Sequence, residues 1–566
     1  MRIKVLQIFF TILFTMVGAW LFYLQIIKGS FYDDLSSRNS IRILNINAPR
    51  GNIYDRQGKI IAGNALSFGV FIVPQEVDDI DAEIEKLSGM LGISKSLLER
   101  NYKRNRTASF TPCELIKGIS KKAAISIEES RFEMPGVLVK ETPFRNYYYK
   151  EAFSHVIGYT GEIGPLELEL LKPYGYNIKD SIGKDGVERF CDRALRGKDG
   201  GMQIQVDSRG RQVKVISYKR PKNGRDVHLT LDAGLQKKVY DLFDGQRGAA
   251  IFMDPRNGEI LSLVSSPSYN PNNSLSDAIK AKGSPLMNRA VMSAYPPGSI
   301  FKIITSMAGL ESKKITPDTG FVCAGKIKIG RDELNCWNRD GHGYVDLEKA
   351  IAWSCNVYFC HVGLLTGADK ISEYAGLFGL GRKTGVELFG ESSGFVPSRE
   401  WKKIEKKEVW YPGDTANFSI GQGYLSVTLL QITRMAAVIA NSGILVHPHI
   451  LKRIGNAPVI NFRTENLNLK KENIDAVKRG MRRVVEDIDG TGNRAASKIV
   501  SISAKTGTVQ VGPGISSHAW FVGFAPSEDP KICFAVFLEN GGSGGDAPAG
   551  IAKLALEYWF EKHKND

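Results

Sequence analysis

The chain has 566 residues, 43% of them hydrophobic and 24% charged, and a formal net charge of +15. That length implies two or three domains with a core in each, and no internal repeat or long low-complexity tract breaks it. A basic balance admits nucleic acid as a partner, but the apolar amino-terminal segment points to export and argues against it; anionic lipid, lipid-linked pyrophosphates, an acidic wall polymer or simple solubility charge account for it instead.

The amino terminus reads Met1-Arg2-Ile3-Lys4 and then runs uncharged from Val5 to Ile27, about 23 residues. That spans a bilayer core with some tilt. It is too long for the apolar core of a signal peptide, and no small-x-small cleavage site follows. Arg2, Lys4 and the terminal amine favour a cytoplasmic start, which leaves nearly everything else outside. A single-pass anchor in the cell membrane, with the remainder on its outer side, is the expectation.

Further along, Tyr295-Pro296-Pro297-Gly298 is a turn signal. From Ser299 the apolar residues Ile303, Ile304, Met307, Ala308 and Leu310 recur at helical spacing. A helix from Ser299 places Lys302 one turn on, on the same face. A helix N-terminus and apolar neighbours both lower a lysine pKa, so a neutral Lys302 can take the Ser299 proton. Seven cysteines leave at least one thiol unpaired. Cys323 and Cys336 flank a hairpin-like segment, Lys326 to Arg331, and three outcomes stay open for them: a disulfide, unpaired buried thiols, or a zinc site with His342.

Asp346 is a plausible N-cap for a helix from Leu347 to Trp353, and Val357 to Leu365 resumes an apolar pattern. The loop between them, Ser354-Cys355-Asn356, can aim a hydroxyl and an amide into a cleft, to relay a proton and hold a carbonyl. Ile499 to Ala504 reads as a strand that ends in Lys505-Thr506-Gly507-Thr508. Lys505 with the Thr506 and Thr508 hydroxyls can grip a carboxylate. Gly507 lets a ligand approach the backbone, and a backbone N–H there can form an oxyanion hole with that of Ser299. Ala519 to Phe524 and Ile532 to Leu538 continue the sheet around a Ser527-Glu528-Asp529-Pro530 turn. The run Gly541-Gly542-Ser543-Gly544-Gly545 reads as a mobile loop.

Each of the words S-x-x-K, S-x-N and K-T-G is weak alone. In this order, about 55 and then about 150 residues apart, they resemble the motif set of penicillin-binding proteins and serine β-lactamases. Asp332-Glu333-Leu334-Asn335 resembles the word that carries the deacylating glutamate of class A β-lactamases, but it precedes S-x-N instead of following it. An acyl-enzyme without a placed deacylating base waits for an amine, so transpeptidation is favoured over hydrolysis.

Over nearly the whole chain the order of segments resembles a class B penicillin-binding protein. Ala48-Pro49-Arg50-Gly51-Asn52-Ile53-Tyr54-Asp55-Arg56 resembles that family's word just outside the membrane. Gly183-Lys184-Asp185-Gly186-Val187-Glu188 with Leu195-Arg196-Gly197 resembles the next one. Leu229-Thr230-Leu231-Asp232 resembles the start of the transpeptidase domain, and Asp254-Pro255 with Asn257-Gly258 its first hairpin. No glycosyltransferase domain precedes these words, so the resemblance implies a monofunctional enzyme. Trp410-Tyr411-Pro412-Gly413-Asp414-Thr415, Ser419-Ile420-Gly421-Gln422-Gly423-Tyr424 and His518-Ala519-Trp520-Phe521 resemble the elongation type more than the division type.

The resemblance implies an α+β fold: an antiparallel sheet flanked by helices, after a transmembrane helix and an elongated α+β pedestal. The boundaries expected are 1–28 for the tip and anchor, 29–215 for the non-catalytic pedestal with its head, and 216–566 for the transpeptidase domain. It further implies Ser299 as nucleophile attacking the penultimate D-alanine of a stem peptide, Lys302 as base and Ser354 as proton relay. Asn356 and Lys505 complete the catalytic set, and Thr506, Gly507 and Thr508 bind substrate. Implied partners are peptidoglycan stem peptides, β-lactams, the membrane and a RodA-type polymerase of the elongation machine, with no nucleic acid. Some elongation enzymes carry zinc near S-x-N with a Cys three residues before its serine. Ile351 stands at that position, so no metal and no cofactor are assigned. A division-type transpeptidase, a D,D-carboxypeptidase and a β-lactam sensor are the alternatives on this fold.

Overall fold

The computed structural model describes residues 2–564 except 34–40, 47, 107, 108, 110, 179, 207–211, 461, 462, 511 and 513. Met1 of the expected anchor and residues 565 and 566 of the expected transpeptidase range lie outside the described residues. Two compact units divide the chain: one holds residues 1–51, 64–144 and 196–224, the other 52–63, 145–195 and 225–566.

The first unit begins with a helix, Arg2–Phe22, continued by a π turn, Tyr23–Ile27. Together they give 26 residues of apolar helix with no buried side chain. At 1.5 Å per residue that is roughly 39 Å, more than a bilayer's hydrocarbon core. The same unit contains a three-stranded antiparallel sheet in which Gly200–Val206 lies between Ile41–Ile46 and Gln212–Lys219. It also holds a small α+β body whose core gathers Val70, Ile72, Ile84, Leu87, Leu98, Leu115 and Ile127. Asp79 caps the helix Ile80–Leu91 by accepting from the Asp81 and Ala82 amides, and Gly92 ends it in the left-handed region.

The second unit is built on a five-stranded antiparallel sheet. Its strands are β1 (Gly248–Met253), β2 (Ile260–Ser266), β3 (Ser503–Val509), β4 (His518–Ala525) and β5 (Ile532–Leu538), in the order β2-β1-β5-β4-β3. Every residue of β1, β2 and β5 is buried, so both faces of the sheet are covered. The helices used below are α1 (Lys302–Glu311), α2 (Leu347–Ala352), α3 (Asn356–Thr366), α4 (Leu429–Ala440), α5 (Lys471–Glu486) and α6 (Ala547–Lys562). Helix α4 is buried along its whole length and packs on β1, β4 and β5; α6 packs on β4 and β5. Helix α5 turns Ile474, Val477, Met481, Val484 and Val485 inward and touches both α2 and β3. It thereby ties the segment before S-C-N to the strand that carries K-T-G.

The α+β architecture and the hairpin at Asp254 agree with the sequence reading, and β5 has the expected bounds. Two local expectations are corrected. Ser299 does not open an α-helix; it lies in a 3₁₀ turn, Gly298–Phe301, and the α-helix starts at Lys302. The strand that carries K-T-G starts later than expected and runs past it: the ladder begins at Ser503 opposite Phe524, not at Ile499, and reaches Val509 opposite His518. Ile499–Ile502 stay outside it because the partner chain leaves β4 at Ala525, where the Ser527 amide instead donates to Ser501 Oγ.

Candidate active site

Ser299 reaches its place through two glycines. Gly298 has φ +53° and donates its amide to the Gly421 carbonyl at 3.0 Å. A Cβ on Gly298 would come within 2.6 Å of Val509 Cγ2 and 3.2 Å of the Thr508 carbonyl, so only glycine lets the turn lie this close to β3. A 3₁₀ turn eclipses residues three apart, which sets Ser299 and Lys302 on one face as expected. Ser299 is half-buried.

Lys302 is fully buried. Its Nζ donates to the Ser354 carbonyl (2.8 Å), Ser354 Oγ (3.1 Å) and Asn356 Oδ1 (2.7 Å). Burial lowers its pKa from the usual range to about 8, against the opposing pull of the nearby Cys355, Cys336 and Cys360 sulfurs. Lys505, also fully buried, donates from Nζ to Ser354 Oγ (2.9 Å) and to the Thr506 carbonyl (3.0 Å). Burial and then the charge of Lys302 push its pKa well below the lysine range. Ser354 Oγ is therefore held by two amines from two chain segments, and the charge of Lys302 makes Lys505 the harder of the two to protonate. No Asp or Glu pairs with either lysine among the described residues.

The S-C-N segment links α2 to α3. Asp346 caps α2 as expected, accepting from the Lys349 amide at 2.8 Å. Ser354 sits at φ +51°, an uncommon value for a residue with a side chain. Holding such a residue costs on the order of 1–3 kcal/mol; here the Lys302 bond to its carbonyl fixes it. Cys355 caps α3 through Sγ, which accepts from the Tyr358 amide at 3.5 Å. Asn356 Nδ2 donates to the Asn335 carbonyl at 3.2 Å.

K-T-G lies on β3, the edge of the sheet, where an extended ligand can add as a further strand. Thr506 Oγ1 donates to Thr491 Oγ1 at 2.8 Å and its residue is buried, whereas Thr508 is exposed. Gly507 backs onto Ile300, Pro297 and Trp520, leaving no room for a Cβ. The Gly541–Gly545 run, read as a mobile loop, is partly packed: Gly544 is buried, and a Cβ there would lie 2.2 Å from the Trp520 carbonyl and 2.6 Å from that of Gly507.

The structure thus brings Ser299, Lys302, Ser354, Asn356 and Lys505 to one place, with Thr506, Gly507 and Thr508 beside them. Sequence reasoning missed Thr491, Asn335 and Gly544, and Gly298 was read only as part of a turn. The D-E-L-N word pairs with Lys326–Ile329 in a hairpin, and its Glu333 carboxylate is taken by Lys326 Nζ at 3.1 Å. Its backbone end at Asn335 nonetheless reaches Asn356, a contact its sequence position did not suggest.

Beside S-C-N lies a second cluster. One ligand atom each from Cys323, Cys336, His342 and Cys355 fall within 4.8 Å of one another. His342 Nδ1 is 3.5 Å from Cys323 Sγ and 3.6 Å from Cys336 Sγ, and the ring stacks on Trp353. The neighbouring Cys355 lowers the Cys336 pKa, and Cys336 with burial raises that of Cys355. No cysteine among the described residues is bridged, so the Cys323–Cys336 disulfide weighed above is not formed here. Three thiols and an imidazole converging on one point fit tetrahedral zinc. The sequence reading looked for the ligand at Ile351; the cysteine that faces the cluster is Cys355, the middle residue of S-C-N.

Residues 248–557 match the family described as penicillin binding protein transpeptidase domain, and residues 45–229 match the penicillin-binding protein dimerisation domain. The chain is 35% identical to the peptidoglycan D,D-transpeptidase MrdA of Acinetobacter baumannii, over 96% of this chain and 85% of that one. It is similar to the PBP2 chain solved in complex with MreC from Helicobacter pylori, with a TM-score of 0.80 and 29% identity over 92% of this chain and 99% of that one. A chain from a solved peptidoglycan synthase complex matches with a TM-score of 0.75 at 29% identity, over 99% of this chain and 98% of that one.

Proposed function

The chain belongs to the class B penicillin-binding proteins and is a serine-type peptidoglycan D,D-transpeptidase of the elongation type, and from that premise we propose that Ser299 is its nucleophile and Lys302 its base. The observation that carries this reading is the convergence of Lys302 and Lys505 on Ser354 Oγ, within one turn of Ser299.

Ser299 Oγ attacks the penultimate D-alanine carbonyl as Lys302 Nζ takes its proton. The backbone N–H of Ser299 and one from the K-T-G-T strand receive the oxyanion. The proton passes through Ser354 Oγ, which both lysines already touch, to the departing D-alanine amine. Lys505 and the Thr508 hydroxyl hold the terminal carboxylate, with Thr506 releasing Thr491 to join them. That carboxylate supplies the counter-charge that buried Lys505 lacks. Asn356 holds the substrate amide. A side-chain amine of a second stem peptide then attacks the acyl-enzyme and returns the proton by the same route. A β-lactam that imitates the D-Ala-D-Ala end acylates Ser299. Glu333 is engaged by Lys326, so hydrolysis lacks a placed base and the amine is the expected acceptor.

Incubation with lipid-linked precursor polymer and counting of stem dimers against trimmed stems tests this directly. Dimers are expected to dominate; trimmed monomers alone would make the enzyme a carboxypeptidase.

Cys323, Cys336, His342 and Cys355 are the residues that would hold zinc. Ligation by these four residues would tie the 323–342 segment to the S-C-N loop and hold Ser354 and Asn356 in register. Elemental analysis of the purified chain is expected to find about one zinc per chain, and Cys336→Ser to lose it; a metal-free chain that also takes up none on addition would contradict this.

For the rest of the molecule, residues 1–28 act as a single-pass anchor in the inner membrane, 29–215 as the pedestal and 216–566 as the transpeptidase domain on the outer side. The apolar helix Arg2–Ile27 supports the anchor. The relatives solved with MreC and in a synthase complex support a place in the elongation machine beside a RodA-type polymerase.

A further inference from the structure

We propose that Glu539 and Tyr295 are positioning residues for acylation: the Glu539 carboxylate, gripped by Arg289, holds the Tyr295 hydroxyl and so sets the turn that presents Ser299 to the K-T-G strand. The inference rests on the reading of Ser299 as the nucleophile.

The need for such a hold begins in the sequence. Tyr295-Pro296-Pro297-Gly298 leads into the Ser299 turn, and its two prolines have no N–H with which to fix the backbone. Tyr295 exchanges two backbone hydrogen bonds with Val427, each 2.9 Å, and the Gly298 amide donates to the Gly421 carbonyl at 3.0 Å. Two further ties lead to the sheet. Trp520 Nε1, from the residue opposite Gly507 in the ladder of β3 and β4, donates to the Pro296 carbonyl at 3.2 Å. The Tyr295 hydroxyl donates to Glu539 Oε1 at 2.7 Å, and its ring lies on Phe537 of β5 with centroids 4.2 Å apart.

Glu539 directly follows β5, and its carboxylate is held from two sides. Arg289, whose side chain is 1% exposed, donates from Nε to the same Oε1 at 2.8 Å. Arg247 Nε lies 3.1 Å from Oε2. Arg289 is fixed in turn, since Nη2 donates to the Gly283 carbonyl at 2.6 Å and Nη1 to that of Ser284 at 3.3 Å. A hydroxyl donating to a carboxylate makes a shorter and stronger bond than one donating to a neutral oxygen. Against the cost of burial, the Tyr295 hydroxyl and Arg289 lower the Glu539 pKa, which keeps the acceptor charged.

The chain from Arg289 through Glu539 to Tyr295 therefore ties the approach to Ser299 to the end of β5. Strand β5 pairs with β4, and β4 with the strand that carries Lys505, so the distance from nucleophile to K-T-G passes through this tie. Glu539 acts through Tyr295 and not on the reacting atoms. Without the hydroxyl, the Val427 bridge still holds the Tyr295 backbone, but the charged hold on its side chain is gone. A displacement of about 1 Å at a reacting group costs on the order of 100-fold in rate.

The test uses the full-length chain in detergent and a concentration series of labelled penicillin. It separates the limiting acylation rate from the half-saturating concentration, and the final count of adducts gives the active fraction. Tyr295→Phe keeps the ring on Phe537 and leaves Glu539 paired with both arginines, so the fold is retained. Its limiting rate is expected to fall about 10–100-fold per active chain, with the half-saturating concentration unchanged. Glu539→Gln keeps an acceptor oxygen for Tyr295 and Arg289 and should lose less rate than Tyr295→Phe. Since the two residues act through one bond, the double variant should be no slower than Tyr295→Phe alone. The inference is overturned if Tyr295→Phe keeps the wild-type limiting rate per active chain, or if its loss lies in the half-saturating concentration. Full additivity in the double variant overturns it as well. Tyr295→Phe alone decides the matter even if the Glu539 variants fail to fold. Failure of the wild type to acylate at Ser299 would instead count against the catalytic assignment on which the inference stands.

Discussion

Replacing Lys302 by methionine is expected to slow acylation of Ser299 by about 10²–10⁴-fold, the range contributed by a positioned general base. Lys302 Nζ holds three oxygens of the S-C-N segment and is buried on every side. A methionine fills the same stem and removes the amine. The fold should survive. Ser354 Oγ keeps Lys505 as a partner and half-buried Asn356 can turn to water; the Ser354 carbonyl loses its donor, at about 1–3 kcal/mol, which the relief from burying an ammonium offsets. The pH profile separates loss of the base from mere displacement. Only the neutral amine accepts a proton, and burial brings Lys302 to about 8. The wild-type acylation rate should therefore rise about tenfold per pH unit below 8 and level off above it. In Lys302→Met that rise should vanish. Stopped-flow acylation between pH 6 and 9.5 with thermal unfolding in parallel checks both; a variant that keeps the wild-type slope would remove Lys302 from the role of base.

Gly298→Ala is expected to have the second largest effect, on stability and on rate together. At φ +53° an L side chain costs about 1 kcal/mol, and the new Cβ would stand 2.6 Å from Val509 Cγ2. Overpacking of that kind adds about 1–3 kcal/mol. The strain is relieved only by moving the Ser299 turn away from β3, which separates the nucleophile from the K-T-G strand. Acylation should fall at least about 100-fold, as for any shift near 1 Å at a reacting group. Val509→Ala in the same chain makes room for the Cβ and should recover part of the loss. No recovery in the double variant, by denaturant unfolding and by rate, would place the strain elsewhere.

The segments that meet at the site were legible from the chain because each is a local signal. Pro297-Gly298 stops one segment and frees a turn, Asp346 caps α2, and apolar spacing carries α1. The strand boundary near 503 was misplaced for a physical reason. Val500 and Ile502 are buried and read as strand, but a strand needs a partner, and β4 has already ended at Ala525. The cysteine cluster was open to three readings since its geometry is set by a turn. Cys355 faces Cys336 only because it caps α3, and nothing in a count of residues from Ser354 conveys that direction. Asn335 and Thr491 are held to the site by contacts made across the fold, invisible to local pattern. The same is true of Gly544, whose run reads as a flexible loop until Gly507 is found against it.

The central claim is that a single hydroxyl, Ser299 Oγ, forms the acyl-enzyme in a site assembled by Lys302, Ser354, Asn356 and Lys505. Mass spectrometry of the chain after incubation with penicillin tests it most directly. The account predicts one penicilloyl adduct per chain, mapped to the peptide that contains Ser299, and none on Ser299→Ala. An adduct on another residue, or equal labelling of Ser299→Ala, would contradict it.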